Sequence, residues 1–109
     1  MQLYEHERIA EWVGSRVTSA LLSGRAPGPE GSIAKLLATA VAKRAAALGG
    51  RVGQMSAQAW PADDPRATRW AGPLLHVPQL SIAGGTDEVQ RNVIAERILG
   101  LPRDPEPEG

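Results

Sequence analysis

Apolar residues recur along three stretches of the chain at the three- and four-residue spacings that place side chains on one face of an α-helix. The first stretch runs from about Gln2 to Leu22. Its apolar stripe consists of Ile9, Trp12, Val13, Val17, Ala20 and Leu21. Gly24 follows and can adopt the left-handed conformation that ends many helices, and Pro27 prevents continuation beyond it. We therefore predict a first helix over 2–22.

The second stretch begins at Pro29 or Ser32 and extends to Leu48. Its stripe consists of Ile33, Leu36, Leu37, Ala40, Val41, Ala45 and Leu48. We expect Gly49 and Gly50 to end this helix, because glycine is a frequent helix stop. The Gly- and Pro-rich turn between the two stretches is short, so the two helices are predicted to pack as an antiparallel hairpin.

Residues 51–81 carry no comparable pattern. Prolines follow Trp60, Gly72 and Val77, and each proline removes a backbone donor and clashes with the preceding turn of a helix. We predict an ordered loop with one short helical stretch near Pro65 to Trp70. Its apolar anchors are Trp60, Trp70, Leu74 and Leu75.

The last helix is predicted to begin at Thr86, a good N-cap, with Asp87 and Glu88 placing negative charge in the positive first turn. Asp87 and Arg91 are four residues apart in the order that favours an ion pair. The expected buried stripe consists of Val89, Val93, Ile94 and Ile98. Gly100 stands at the usual C-terminal stop. The pattern as a whole indicates an all-α fold, an antiparallel helical bundle.

Charge and composition narrow the functional classes. Twelve basic residues balance twelve acidic ones without a basic patch, so we do not expect a nucleic-acid partner. No apolar run approaches the roughly 18 residues of a membrane span, and the first residues lack the zones of a signal peptide. The absence of Cys excludes thiol chemistry and disulfides and fits a cytoplasmic protein. Residues 102–109 are rich in Pro and Glu and are expected to form a flexible tail.

The junction before the last helix is the main candidate for chemistry. Two glycines, Gly84 and Gly85, allow a backbone to come close to a ligand, and the first helical turn offers free amides. Helix-start physics alone favours a simple tight turn. His6 and His76 lack the spacing of a metal site and are expected to be structural or surface residues. The glycines from Gly49 to Gly53 follow no strand, so they indicate a helix stop and not a phosphate cradle.

The block from Ser81 to Pro102 resembles the terminal signature of the acyl-CoA dehydrogenase family. It contains Gly-Gly-Thr, an acidic pair, Gln-Arg-Asn and Ala-Glu-Arg-Ile-Leu-Gly-Leu-Pro in the family's order. A second block, residues 24–37, is similar to the family's link between two C-terminal helices, and the two blocks have the family's separation. The resemblance implies that residues 1–101 are part of a C-terminal four-helix domain.

The resemblance also implies an activity. Members of this family are FAD flavoproteins of lipid metabolism, including fatty acid β-oxidation, that convert an acyl-CoA to the trans-2-enoyl-CoA. A carboxylate removes the α-proton while the β-hydride passes to the flavin. The implied partners are the acyl-CoA substrate, an electron-transfer flavoprotein or similar acceptor, and further copies of the chain, as a dimer or as the tetramer of a parent protein.

When the motifs are aligned, the resemblance implies functional roles for several residues of this sequence. Gly84 and Gly85 match substrate-binding positions, and the backbone amide of Gly84 would polarise the thioester carbonyl. Thr86 and Glu88 match positions that contact FAD. A Gly-rich segment that meets the FAD of a neighbouring subunit corresponds to Gly49 and Gly50. The Gln that the family places ahead of that pair is replaced by Ala46.

Two departures from the family pattern matter. Many members carry their catalytic Glu where this chain has Gly84, so no catalytic side chain is assigned here. Either the base lies on an earlier helix, or the chain is a silent subunit of a heteromeric dehydrogenase. The family's first two domains and one bundle helix are also absent, which predicts an inactive fragment that self-associates through its uncovered apolar face. The alternative is a non-enzymatic helical oligomerisation or interaction module.

Overall fold

All the regular secondary structure in the part of the chain that the computed structural model describes is α-helical. That part covers residues 2–26, 28–58, 63–103 and 105, without the side chains of Ser56, Arg66 and Ala67. The helices are α1 (Gln2–Leu22), α2 (Glu30–Gly53), α3 (Met55–Gln58), α4 (Pro65–Leu80) and α5 (Asp87–Arg97). No strand occurs in these ranges, and the predicted all-α class is confirmed.

Helix α2 lies at the centre of the bundle and contacts each of the other four helices. Helix α1 packs against α2 alone among the described elements. The predicted end of α1 is confirmed. Gly24 has a φ of +74°, its N–H donates to Leu21 O at 3.0 Å, and the Arg25 N–H donates to Ala20 O at 3.1 Å. These two bonds form a Schellman motif, which satisfies carbonyls that the helix itself leaves free. Pro27 lies outside the described residues.

The prediction that α2 stops at Gly49 and Gly50 is wrong, because the helix continues to Gly53. A glycine weakens a helix interior by up to about 1 kcal/mol relative to alanine. Here the missing side chains allow α4 to approach closely. A Cβ on Gly50 would lie 2.8 Å from the Leu74 side chain, and one on Gly53 would lie 2.7 Å from Trp70. Packing against α4 therefore offsets the weak helix propensity.

The helical stretch predicted near Pro65 to Trp70 is confirmed, but the loop predicted for the rest of 51–81 is wrong, because α3 and the sixteen-residue α4 occupy most of this segment. Pro65 stands at the first helical position, where proline costs no hydrogen bond. Pro73 and Pro78 lie inside the helix with exposed side chains, and water can satisfy the carbonyls they leave unpaired. Trp70 and Val77 are among the more buried large side chains of α4, and Ala71 is buried. Trp60, a predicted anchor, lies outside the described residues.

Helix α5 begins and ends where the sequence predicts. Thr86 is its N-cap, and Gly100 beyond its end has a φ of +66°. The expected buried stripe is only partly correct: Val93 and Ile94 are half-buried, but Val89 and Ile98 are 50% and 42% exposed. The cause is that α5 contacts α2 alone among the described helices, so only one edge of it is covered.

The core is thin. The buried hydrophobic residues among those described are three alanines, Ala46, Ala57 and Ala71. The radius of gyration is 17.7 Å, whereas a compact domain of this length has about 13 Å. The helices therefore form an open array. Of the predicted tail, Pro102, Arg103 and Pro105 are described and exposed, and the remainder lies outside the described residues. None of the described helices has the length and apolarity to cross a membrane.

Candidate functional site

The connection between α4 and α5 is a well-ordered turn. The Ala83 N–H donates to Gln79 O at 2.9 Å, which extends the hydrogen bonding of α4 into the turn. The Asp87 N–H donates to Ser81 O at 3.0 Å, which closes the turn at the start of α5. The backbone between these bonds is therefore held in place before any ligand arrives.

Gly84 and Gly85 both adopt the left-handed conformation, with φ of +68° and +92°. The Gln90 side chain fixes the turn by donating to Gly84 O at 2.9 Å. A Cβ on Gly85 would meet that same amide at 2.6 Å, whereas one on Gly84 would meet nothing within 4 Å. Within the described part of the chain, no acceptor pairs with the Gly84 N–H. Gly84 thus offers an open backbone donor on an exposed turn.

Thr86 and Glu88 continue this polar segment. Thr86 Oγ1 accepts the Val89 N–H at 3.2 Å as a helix cap, and the hydroxyl keeps its own proton to donate. The Glu88 side chain is 79% exposed, and its one ion-pair partner among the described residues is Arg91, at 3.7 Å. Two donors and a carboxylate acceptor therefore follow one another over five residues. This arrangement suits a ligand that presents both oxygens and hydroxyl or amino groups.

Asp87 turns inward and anchors α5 to α2. Its Oδ1 accepts from Lys35 Nζ at 2.6 Å and its Oδ2 from Lys43 Nζ at 3.2 Å, and the residue is 8% exposed. The Lys35 hydrogen bond, with a further contribution from Lys43, lowers the pKa of the Asp87 carboxyl from 3.8 to about 2 against the opposing effect of burial.

The sequence-based pairing of Asp87 with Arg91 is wrong, because Arg91 approaches Glu88 instead. Lys35 and Lys43 are eight residues apart, so they lie on the same face of α2 at two turns' distance. Both lysines fall outside the apolar stripe of α2. That spacing was a usable signal for a paired carboxylate, but the identity of the carboxylate depends on how α5 packs.

Gly49 and Gly50 lie in a different part of the molecule. They are half-buried on the face of α2 that packs against α4, and a Cβ on Gly49 would lie 3.5 Å from the Trp70 ring. A groove of about 580 Å³ between α2 and α4 includes Gly49 but none of the residues from Gly84 to Glu88. The structure therefore does not bring the two predicted sets of ligand-binding glycines together within this chain.

The two histidines occupy unrelated positions. His6 Nδ1 hydrogen-bonds to Gln2 O at 2.6 Å within α1, and His76 is exposed on the wall of the groove between α2 and α4. Nowhere in the described ranges do three His, Asp or Glu side chains gather in a way that could hold a metal ion. The α4–α5 turn is therefore the best candidate for ligand binding.

The sequence matches a known protein family over most of its length. Residues 3–99 match the family model described as acyl-CoA dehydrogenase, C-terminal domain. Two curated relatives, both named acyl-CoA dehydrogenase IpdE1, are 67% identical to this chain over 24 residues; they come from Mycobacterium tuberculosis and Mycolicibacterium smegmatis. The matched segment covers 22% of this chain and 6% of each relative. No solved structure gives a significant match.

Proposed function

The chain belongs to the acyl-CoA dehydrogenase family, and on this premise we propose that it is the C-terminal part of a FAD-dependent enzyme that oxidises an acyl-CoA to the trans-2-enoyl-CoA. The observation that carries the proposal is the free amide of Gly84 on a pre-formed turn. The motif resemblance implies substrate binding at this position. The matched segment spans only 6% of the relatives, and we propose the activity for a parent protein of which this chain is a part.

The role of Gly84 follows from its geometry. Removal of an α-proton from a thioester puts negative charge on the carbonyl oxygen, and a fixed N–H donor stabilises that charge. The Gly84 N–H is fixed by the Gln90 hydrogen bond to the same residue's carbonyl and by the closed turn around it. The absence of a side chain leaves room for the substrate to approach this backbone. Gly85 beside it keeps the turn in its left-handed conformation.

Thr86 and Glu88 are the residues of this turn proposed to hold FAD. The Thr86 hydroxyl can donate to a phosphate or carbonyl oxygen while it caps α5. The exposed Glu88 carboxylate accepts hydrogen bonds, so it would meet a hydroxyl or amino group of the cofactor. FAD, when bound, accepts the hydride. These side chains position it and take no part in the proton transfer.

Gly49 and Gly50 are the less favoured part of the proposal. The motif resemblance implies a contact with the FAD of a neighbouring subunit, but their packing against Trp70 and Leu74 already explains why α2 needs glycine there. A cofactor contact would have to use the side of α2 that α4 leaves uncovered.

Gly84 has no side chain, so it cannot remove the α-proton of the substrate. Either a carboxylate elsewhere in the parent protein takes the proton, or the site belongs to a silent subunit whose partner performs the chemistry. We expect this 109-residue chain alone to have no dehydrogenase activity. The two alternatives differ in whether the parent protein, purified without a second subunit type, turns over.

A flavin assay tests the proposal directly. The purified parent protein should show the absorbance of bound FAD, and that absorbance should bleach when an acyl-CoA is added under anaerobic conditions. A parent protein that never holds FAD, alone or with a second subunit, would refute the dehydrogenase assignment and favour the non-enzymatic helical module.

Substitutions at Thr86 separate cofactor binding from helix capping. Asp caps helices as well as Thr does, but its carboxylate cannot donate a hydrogen bond and repels phosphate. We expect Thr86→Asp in the parent protein to lower FAD occupancy at unchanged thermal stability of the apoprotein. Thr86→Ser keeps both the cap and the donor and should retain FAD. Equal FAD occupancy in the two variants would remove Thr86 from the cofactor site.

A further inference from the structure

A pocket with a largely polar lining lies on α2, between residues of α1 and α5. Its volume is about 320 Å³. Its floor is apolar and comes from the half-buried side chains of Leu36, Leu37 and Ala40 on α2. Its polar lining consists of His6, Thr39, Lys43, Arg44, Asp87 and Arg91. Three helices therefore contribute polar groups to one small concave surface.

Positive charge is in excess at this pocket. Asp87 is already paired with Lys35 and Lys43, so it is more than neutralised. Arg44 is exposed and pairs with no described carboxylate. Arg91 approaches Glu88 only at 3.7 Å, beyond hydrogen-bond distance. The lining of the pocket thus holds three cationic side chains, Lys43, Arg44 and Arg91, and one carboxylate, Asp87, which is an excess of two positive charges.

Most hydrogen-bond donors of Lys43, Arg44 and Arg91 are also unused. An ammonium group has three donors, and Lys43 spends one of them on Asp87 at 3.2 Å. A guanidinium has five donors in a fork that matches phosphate oxygens, and Arg44 and Arg91 form no hydrogen bond with a described side chain. The pocket therefore offers several convergent donors around an excess of two positive charges.

We propose that this pocket binds the phosphate group of a small organic phosphate. A phosphomonoester dianion matches the excess charge, and its three oxygens match the available donors. The volume lies at the lower end of ligand pockets, about 300 to 1,000 Å³, which favours a compact molecule over a dinucleotide. The organic part of the ligand lies on Leu36, Leu37 and Ala40. The proposal does not rest on dehydrogenase activity.

Titration of the 109-residue chain with glycerol 3-phosphate tests this proposal, followed by ¹H–¹⁵N NMR in a phosphate-free buffer of low ionic strength. We expect saturable shifts of the backbone amides of Thr39, Lys43 and Arg91, and weaker binding of inorganic phosphate, which lacks an organic part. Uncharged glycerol should cause no shift. Binding should weaken as NaCl is raised, because the charges are partly exposed.

Two matched variants decide whether the pocket is the site. Arg44→Gln removes one unpaired pocket cation and should weaken glycerol 3-phosphate binding on the order of threefold or more. Arg51→Gln removes an exposed arginine of the same helix that does not line the pocket, and it should leave the affinity unchanged. Equal loss in both variants, or shifts that do not saturate, would overturn the proposal in favour of general charge attraction. If inorganic phosphate bound as tightly as glycerol 3-phosphate, the proposed contact between the organic part of the ligand and the apolar floor of the pocket would be ruled out.

Discussion

The Asp87 carboxylate joins two helices that share few other buried contacts. It is the most buried charged side chain of the described residues, and both of its oxygens accept from lysines of α2. Lys35 is itself largely covered, with 20% of its side chain exposed. Removing the carboxylate would leave that ammonium group near the protein interior without a counter-ion, which is costly.

We therefore expect Asp87→Asn to lower the thermal unfolding midpoint by several degrees, since a small domain responds to modest losses of free energy with shifts of this size. The neighbouring substitution Glu88→Gln is a matched control, because Glu88 is exposed and its contact with Arg91 is long. Circular dichroism melting of both variants measures the difference. Similar midpoints for the two variants would show that the Asp87 ion pairs contribute nothing net.

The same carboxylate predicts a pH dependence. Its folded-state pKa of about 2 lies below the ordinary 3.8, so the folded state holds the proton less tightly than the unfolded state does. The resulting stabilisation is present above about pH 4 and is lost as the pH falls from 4 toward 2. Urea unfolding midpoints across this range should fall less steeply for Asp87→Asn than for the wild type. Parallel curves would contradict the assignment.

At the scale of single helices, the sequence predicts what is local and misses what packing decides. The end of α1 and the start and end of α5 follow from caps and stops that act within a few residues: Gly24, Thr86 and Gly100. The end of α2 and the existence of α4 do not follow from local rules, because they depend on Trp70 and on glycines that face it. Proline and glycine indicate a break only where no neighbouring helix compensates for them.

In the candidate site, too, the sequence predicts the local backbone conformation but not the contacts that depend on helix packing. The conformation of Gly84 and Gly85 is predictable, because two glycines before a capped helix favour a left-handed turn. The hydrogen bond from Gln90 to Gly84 O and the inward turn of Asp87 were not predictable from periodicity. Both depend on how α5 lies against the rest of the bundle.

Glycine-to-alanine substitutions in helices test the role of the α2–α4 contact. Gly14→Ala in α1 meets nothing within 4 Å and should stabilise the fold by about 0.5 to 1 kcal/mol through helix propensity. Gly53→Ala would place a Cβ 2.7 Å from Trp70 and should destabilise it by about 1 to 3 kcal/mol through overpacking. Chemical denaturation gives both values. If both substitutions changed the free energy of unfolding in the same direction, α4 would not pack against α2 as described.

At the scale of the whole molecule, the outer face of α1 is the most exposed aromatic surface described. Tyr4, Ile9 and Trp12 are 65%, 43% and 62% exposed, and they line a shallow depression together with Glu5 and Arg8. No described helix besides α2 contacts α1. An uncovered apolar face of this kind favours association between copies of the chain.

We expect the mean mass measured by light scattering to rise with concentration toward that of a dimer. Trp12→Gln should reduce this rise without unfolding the chain, since Trp12 contributes little to the core. Thr18→Gln changes another exposed position of α1 and should leave the association unaltered. A wild-type chain that stays monomeric at high concentration would contradict the expectation.

The thinness of the core also determines how sharply the chain unfolds. The slope of unfolding free energy against urea and the heat capacity change both scale with the surface that unfolding exposes. A core of three buried alanines in an open array hides little such surface in the single chain. Melting should therefore be gradual, with a heat capacity increment below the usual 12 to 15 cal/mol/K per residue. A steep, two-state transition would then be a property of the assembled protein and not of the isolated chain.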